Sequence, residues 1–325
     1  MQNWVEVISR YNYPDHLKSW WQVINSVLPY FALWVAMYHS LKVSYWLTLA
    51  LSLIAAGFLV RIFIIFHDCG HGSFFRTERL NRLVGIPLGL MVFTPYHRWH
   101  RDHFIHHSTI GNLDKRGIGD VETLTVKEYL ELTKWGKLKY RIYRHPLFLF
   151  AIAPILLFLI QYRIPKSYMN FKQQMYIHLS NIAIVGTIVL LMWWIGWREF
   201  ILIQLPIIYF ASIAGVWLFY VQHQFERVVW KRSHEWDYQS VALEGSSFLK
   251  LPKVLQWFSG NIGYHHIHHL SPRIPNYKLQ KCHDENEMFS HIKPLSFREI
   301  LRSFRLRLWD EDRKKLITFD ELQVE

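Results

Sequence analysis

Long apolar stretches separated by polar segments dominate the pattern of this 325-residue chain. A helix needs about 20 mainly apolar residues to cross the hydrocarbon core of a bilayer. Trp and Tyr cluster at the ends of several stretches, as expected for side chains that lie at the membrane–water interface. Four stretches are long enough, and we predict that they are transmembrane helices: 20–37, 45–66, 176–194 and 200–221.

Two further apolar stretches are expected not to cross the membrane: 83–94 should be interfacial or re-entrant, and 146–161 should enter and return on the same side. The stretch 83–94 is too short to span, and 146–161 is short and carries Pro154 in its middle. The loop 161–174 carries three cations, whereas 195–199 has one arginine beside one glutamate, so the positive-inside bias places the first loop in the cytoplasm and the second outside. We therefore predict an all-α integral membrane protein with four transmembrane helices and both termini in the cytoplasm.

The chain is expected to form a single domain, residues 1–325. Residues 1–19 are predicted to be a cytoplasmic segment, residues 20–221 the membrane part, and residues 222–325 a cytoplasmic helical cap. Within the cap, 296–309 has apolar residues at helical spacing and arginines between them, which predicts a helix. This helix could pack on the cap, lie on anionic lipid or dock an acidic electron donor. Its apolar positions are Phe297, Ile300, Leu301, Phe304 and Leu308.

Charge and cysteine content narrow the class of protein. The formal net charge is +12 and the mean hydropathy of +0.04 averages apolar stretches with basic ones. We expect no nucleic-acid partner, because the basic residues flank apolar segments and no nucleic-acid motif is present. Two cysteines cannot build a disulfide framework and indicate a reducing compartment. The first 21 residues lack the order of a cleaved signal peptide, so targeting is expected from the first membrane segment.

Histidines are concentrated in three short segments, HDCGH at 67–71, HFIHH at 103–107 and HHIHH at 265–269. Residues at i, i+3 and i+4 emerge on one face of a helix, so each segment is expected to present its histidines in one direction. We predict that three segments converge on one membrane face, since they could then share a centre. The eight histidines are His67, His71, His103, His106, His107, His265, His268 and His269.

Eight imidazoles are too many for one catalytic zinc ion, which usually has three protein ligands, but they are enough for two metal ions. Imidazole suits iron, zinc and copper alike. His223, at the end of the fourth predicted span, is a ninth candidate. Groups that orient the ligands through their second ring nitrogen are expected nearby: Asp68, Asp102, Asp114, Asn261, His97, His100 and His266. The remaining histidines are expected to be structural or interfacial: His16, His39, His145, His178, His234, His283 and His291.

The three histidine segments resemble the histidine boxes of the membrane fatty acid desaturases. The longer stretches PYHRWHRDHFIHHSTIGNLD and GNIGYHHIHHLSPRIPNYKL are similar to those of the bacterial acyl-lipid desaturases, and the resemblance runs from about the second span through Lys278. It implies four spans, a nonpolar tunnel for an acyl chain and a cytoplasmic di-iron centre. By this resemblance the metal is iron, the eight box histidines are its ligands, and His223 corresponds to an additional histidine before the third box.

The chemistry agrees with this resemblance. A methylene group inside an alkyl chain has no acidic proton and no leaving group, so only a strong oxidant can attack it. The resemblance implies such an oxidant: two iron ions that use O2 as co-substrate. It also implies that the substrate is an acyl chain of a membrane phospholipid. The chain has no heme-binding domain, flavin fingerprint or iron–sulfur cysteine set. A ferredoxin-like or other soluble electron donor is therefore expected to dock near the basic cap.

Two alternatives remain open at this point. The same centre could hydroxylate or ketolate a hydrocarbon or carotenoid, because the boxes do not distinguish hydrogen removal from oxygen insertion. The second alternative is a non-enzymatic metal-binding membrane protein, such as a metal carrier. Transport by a carrier, however, requires ionisable residues along the spans. Only Arg61 and His178 lie inside or at the edge of a predicted span. The double-bond position, the acyl carrier, the head-group preference, the identity of the donor and the oligomeric state are not predicted.

Overall fold

The computed structural model describes residues 4–322, so residues 1–3 and 323–325 of the two predicted cytoplasmic segments lie outside it. Within this range the chain is mainly helical. The helices are α1 (Trp4–Ser9), α2 (His16–Ser40), α3 (Tyr45–His71), α4 (Glu78–Met91), α5 (Tyr96–Thr109), α6 (Val126–Glu131), α7 (Lys134–Tyr143), α8 (Ala153–Leu159), α9 (Phe171–Ile195), α10 (Trp197–His223), α11 (Tyr238–Glu244), α12 (Lys253–Phe258), α13 (His265–Leu270), α14 (Asn276–Asp284) and α15 (Phe297–Ser303). Two short strands, β1 (Leu308–Asp310) and β2 (Lys315–Ile317), form an antiparallel hairpin.

Helix α3 lies at the centre of the bundle. Helices α2 and α10 pack along it, and α8 and α9 pack on α10. Ile62, Ile65 and Phe66 of α3 are fully buried, together with Ile203 and Ile207 of α10. In its most apolar window α3 has 56% of its residues buried, whereas α9 has 11%. Because α9 is apolar yet exposed, it has the composition of a helix that faces lipid.

Three helices, α3, α9 and α10, are long and apolar enough to cross a membrane. A fourth candidate consists of α7 and the following segment Phe148–Arg163, which are bent by 54° relative to each other. A bend of this size occurs in a broken span or in a re-entrant loop. The predicted return of 146–161 to its starting side therefore stays a prediction.

Helix α2 contains the first predicted span, but it is less apolar than the other three. It has 25 residues, or about 37 Å at 1.5 Å per residue, which is long enough. Its Gln22, Asn25 and Ser26 dilute the apolar content, and Gln22 and Ser26 are buried inside the protein. The four-span topology thus depends on a helix whose polar residues partly point inward, and it stays a prediction.

The predicted helix over 296–309 is wrong in its second half, and the fold is not purely α-helical. Helix α15 begins at a capping box formed by Ser296 and ends at Ser303. Leu308 lies in β1 opposite Ile317, and it is fully buried while Phe297 remains exposed. The apolar positions therefore do not share one helical face. The carboxylate of Asp310 accepts hydrogen bonds from the turn that follows it, which favours the hairpin over a continued helix.

Candidate metal centre

The first histidine box occupies the last turn of α3. The helix ends directly after His71 because Gly72 adopts a left-handed conformation with φ of 68°, which glycine tolerates best. The Gly72 N–H donates to the Cys69 carbonyl, and the Ser73 N–H donates to the Asp68 carbonyl at 3.0 Å. The rings of His67 and His71 lie 4.6 Å apart. One helix end therefore presents both imidazoles to the same side.

The second box lies on α5, whose His103, His106 and His107 point toward α3 and α13. Trp99, one turn before His103, stacks on its ring with 4.2 Å between centroids. The His71 and His107 rings are 4.7 Å apart, which joins the second box to the first.

The third box forms the six-residue helix α13. The turn before it packs closely on α3: a Cβ atom at Gly260, which has φ of 53°, would lie 2.7 Å from the Ile64 side chain. Only glycine fits this approach without a shift, and the approach brings α13 beside the end of α3. All four histidines of α13 are buried.

Five histidines form what we call the first histidine group. One ring nitrogen of each lies within 4.8 Å of all the others. The Nε2 atom of His103 is 3.1 Å from those of His67 and His107, and the His107 Nε2 is 3.0 Å from the His268 Nε2. The members are His67, His71, His103, His107 and His268.

The second histidine group contains His106, His223, His265 and His269. Ring nitrogens of His106, His223 and His269 lie within 4.8 Å of one another. The His265 Nε2 is 2.9 Å from the His223 Nε2 and 3.0 Å from the His269 Nε2. The two groups are adjacent, because the His107 and His269 rings stack with 4.1 Å between centroids. The structure thus brings together all nine histidines that the sequence singles out as ligands.

The donor set of each group fits a metal ion. An imidazole nitrogen binds zinc at about 2.1 Å, and two nitrogens at that distance and at right angles are about 3 Å apart, close to the contacts of both groups. Burial holds the pKa values of His107, His268 and His269 well below their usual range, so the rings are neutral, as metal binding requires. The Nε2 atoms of His71 and His106 are buried and have no hydrogen-bond partner among the described residues.

Two carboxylates orient rings of the two histidine groups from behind. The Nδ1 of His67 is 3.0 Å from Asp68, whose other oxygen accepts hydrogen bonds from the Asn276 backbone N–H at 2.7 Å and side chain at 2.9 Å. The Nδ1 of His106 pairs with Asp120. In both cases the carboxylate binds Nδ1–H and leaves Nε2 facing the centre, the arrangement common for metal-bound histidines.

The sequence reasoning missed Asp120. The loop that carries it approaches α5 closely, since a Cβ atom at Gly119 would lie 3.0 Å from the Asp102 carbonyl oxygen and 3.1 Å from the His106 Cβ. Gly119 has φ of 74°. The signal available in the sequence is the pair of glycines at 117 and 119 directly before a carboxylate.

Two predicted orienting carboxylates have other partners. Asp102 pairs with Arg98, one turn earlier on α5, and accepts a hydrogen bond from Tyr168. Burial nevertheless raises the pKa of Asp102. Asp114 accepts hydrogen bonds from the Ser233 N–H and from Arg232, which hold its pKa at about 2. Neither carboxylate is hydrogen-bonded to a histidine of the two groups.

The remaining predicted orienting residues also lie beside the centre rather than on it. His97 stacks on Tyr176 at 4.3 Å, and His100 lies parallel to Tyr96 at 6.1 Å. The His266 Nε2 is 3.1 Å from the His283 Nδ1, and burial lowers the pKa of His266 to about 3. Asn261 donates to the Asn276 carbonyl at 3.2 Å, so it supports the residue that holds Asp68. Spacing along a box does not distinguish these residues from Asp68, which does pair with a histidine of the first group.

A cavity of about 450 Å³ leads from the histidines into the apolar part of the bundle. One end is lined by His67, His103 and His265, and the walls come mainly from α3, α8 and α10. Apolar wall residues include Leu59, Phe63, Leu157, Phe158, Ile208 and Leu218. A mainly apolar cavity with histidines in its lining suits a long apolar ligand with one position held beside the histidines. We call it the acyl cavity, after the acyl chain that the resemblance of the histidine boxes implies.

Comparisons with known proteins agree with this geometry. The fatty acid desaturase family model matches residues 44–299. The chain is 47% identical to the "Fatty acid desaturase" of Bacillus subtilis (strain 168), over 96% of this chain and 89% of that protein. It is 28% identical to the "sn-1 acyl-lipid omega-3 desaturase (ferredoxin)" of Synechocystis, over 68% and 62% of the two chains. It is 26% identical to the "sn-1 oleoyl-lipid 12-desaturase" of Picosynechococcus, over 82% and 76%. The chain therefore belongs to the fatty acid desaturase family of membrane enzymes, as its three histidine boxes indicate.

Proposed function

We propose that this desaturase introduces a double bond into the acyl chains of membrane lipids at a di-iron centre held by the nine histidines. The observation that carries the proposal is the acyl cavity, because it joins an apolar passage to both histidine groups. Two cyanobacterial relatives whose printed names specify acyl-lipid and oleoyl-lipid substrates support a lipid-linked acyl chain.

Each histidine group would hold one iron ion, the first through five imidazoles and the second through four. Asp68 and Asp120 keep Nδ1 protonated on His67 and His106 and so keep Nε2 turned toward the metal. Bound iron supplies, with O2 and two electrons, the oxidising power that an unactivated C–H bond requires.

The residues around the centre bind the chain, position it and exclude water. Trp99 covers His103, and Phe219 lies 5.2 Å from His106 and 4.9 Å from His223. These rings place apolar surface directly against the ligands, which keeps the site dry. The walls of the acyl cavity set how far the chain advances and hence which carbon reaches the histidines.

The electron donor would be a ferredoxin-type protein, which the printed name of the Synechocystis relative specifies for that enzyme. The net charge of +12 favours an acidic partner. The positive loops beside the predicted spans support an orientation in the cell membrane with the histidine groups on the cytoplasmic face.

The test is the fatty acid profile of a host that lacks this activity and expresses the protein. The wild type is expected to produce a new unsaturated acid. His106→Ala removes a proposed ligand and should abolish the product while the protein remains in the membrane. His100→Ala is the matched control, because this exposed histidine lies outside both groups, and it should retain the product. A hydroxylated or ketone product from the wild type would contradict desaturation and support the alternative oxidation.

A further inference from the structure

A second cavity, of about 530 Å³, lies between α2, α3, α12 and α14. Val60 lines the acyl cavity and its neighbour Arg61 lines the second cavity, so α3 separates the two. Among the described residues that line it, no side chain is a carboxylate, whereas four are cationic: Lys18, Arg61, Lys250 and Lys253. We call it the cationic pocket. Four positive charges around one concave space favour an anionic ligand.

Arg61 is the most constrained of these cations. It lies inside α3, one of the apolar helices, and is 6% exposed. Its Nε donates to the Ser26 hydroxyl at 3.1 Å, its Nη1 donates to the Trp257 carbonyl, and its guanidinium lies 3.9 Å from the Trp257 ring centre. No carboxylate of the described chain pairs with it, although a charge in a membrane helix usually has a partner. A bound anion would supply that partner.

Gln22 gives an independent indication of a ligand. It lines the cationic pocket and is 5% exposed. Its Nε2 donates to the Asn276 side chain at 2.9 Å, but its Oε1 is buried without a hydrogen-bond partner among the described residues. Leaving such an acceptor unpaired is costly. A ligand that carries a hydroxyl or ammonium donor next to its anionic group would satisfy it.

The surroundings of the cationic pocket are those of a lipid-facing surface. On α12, Val254 is 67% exposed and Leu255 is 51% exposed. Trp21 of α2 and Trp257 of α12 line the cavity itself. Exposed aliphatic residues beside tryptophan and lysine are typical of the level at which phospholipid head groups lie.

We propose that the cationic pocket binds the phosphate group of a membrane glycerophospholipid, with a hydroxyl or ammonium group of the same lipid donating to Gln22. Free phosphate shares the anionic chemistry, but it offers no apolar part to the exposed faces of α2 and α12. The binding site is separate from the acyl cavity and is independent of which lipid the enzyme desaturates.

The test uses the full-length iron-loaded protein in detergent and native mass spectrometry. Phosphatidylglycerol and diacylglycerol with identical acyl chains are added to the wild type. The variant Lys18→Gln/Lys250→Gln/Lys253→Gln removes three exposed cations of the pocket. Its matched control is Lys127→Gln/Lys134→Gln/Lys139→Gln, which removes the same charge from exposed lysines outside the pocket.

The wild type and the control should retain phosphatidylglycerol in preference to diacylglycerol. The pocket variant should bind it at least about tenfold more weakly, since three of the four cations around the phosphate are removed. Iron content checks that the variants are folded. Equal phosphatidylglycerol retention by the pocket variant and the control would overturn the proposal, as would equal retention of both lipids by the wild type. Displacement of the lipid by millimolar inorganic phosphate would also overturn it, because the site would then be one for a soluble anion.

Discussion

Single residues decide which ring nitrogen His67 and His106 turn toward the centre. His67 and His106 come from different helices, yet each has a carboxylate behind its Nδ1. Asp68 follows His67 directly, whereas Asp120 reaches His106 from a separate loop. Because a neutral imidazole carries one proton, a carboxylate that binds Nδ1–H leaves Nε2 free for the metal.

Replacing Asp120 with asparagine should weaken iron binding. The neutral amide is a poorer acceptor for the His106 Nδ1–H, and loss of such a partner typically lowers metal affinity about 10- to 100-fold. Iron retained by the purified variant against a series of chelator concentrations measures this effect. Asp114→Asn is the matched control, because Asp114 pairs with Arg232 and Ser233 rather than with a histidine. Equal iron loss in both variants would contradict the role assigned to Asp120.

At this scale the sequence predicts the clustering of the histidines better than the carboxylates that pair with them. The i, i+3 and i+4 spacing fixes the direction of side chains on one helix, so His103, His106 and His107 follow from local geometry. Asp120 does not, since its position depends on how a glycine-containing loop packs on α5. Asp102 is beside a box in sequence, but its i−4 neighbour Arg98 and the more distant Tyr168 take its carboxylate.

Among the elements, α10 has two roles in the site. Its last residue, His223, belongs to the second histidine group, and residues one to four turns earlier line the acyl cavity. Gly215 is one of these wall residues, and a Cβ atom there would meet no heavy atom within 4 Å. A larger side chain at this position would therefore extend into open space instead of disrupting the helix packing.

Gly215→Phe should reduce the conversion of long acyl chains strongly while iron content remains unchanged. The added ring would occupy part of the cavity, and the substrate could no longer advance to the histidines. Lipid analysis of an expressing strain, together with iron analysis of the purified variant, measures both effects. The control is Gly186→Phe on α9, which also has open space but does not line the cavity. Unchanged product from Gly215→Phe would show that the chain does not bind along this wall.

Helices could be predicted from the sequence where the hydrophobic pattern agrees with the way the segment packs. Helices α3, α9 and α10 are apolar over nearly their whole length, so their existence follows from composition alone. The segment 296–309 also has helical spacing, yet a turn at Asp310 and pairing of Leu308 with Ile317 convert its end into a hairpin. Pairing with a second strand that lies outside the segment competes with the helical preference and is not visible in the periodicity of 296–309.

For the whole molecule, the proposed orientation requires α2 and α3 to cross the membrane as a pair. The turn between them contains Lys42, and the turn between α9 and α10 is followed by Arg198. Both should be outside, whereas the hairpin at Asp312 should be cytoplasmic. The two native cysteines, Cys69 and Cys282, are buried, so the wild type provides an unlabelled background.

Cysteines introduced as Lys42→Cys and Arg198→Cys should react with a membrane-impermeant maleimide added to intact cells. Asp312→Cys should react only after the membrane is opened. All three positions are exposed on the protein, so differences in labelling report sidedness. Protection of Lys42→Cys in intact cells, with labelling after lysis, would show that α2 does not cross and would refute the four-span topology.

The central claim is that nine histidines from four helices hold two iron ions. Its most direct test is the iron content per chain of the purified wild type, measured beside His268→Ala. We expect two irons per wild-type chain. His268 belongs to the first histidine group, where it contacts His107, so its replacement removes a nitrogen donor and should clearly lower the iron content. A wild type that binds no iron, or equal iron in both proteins, would contradict the claim.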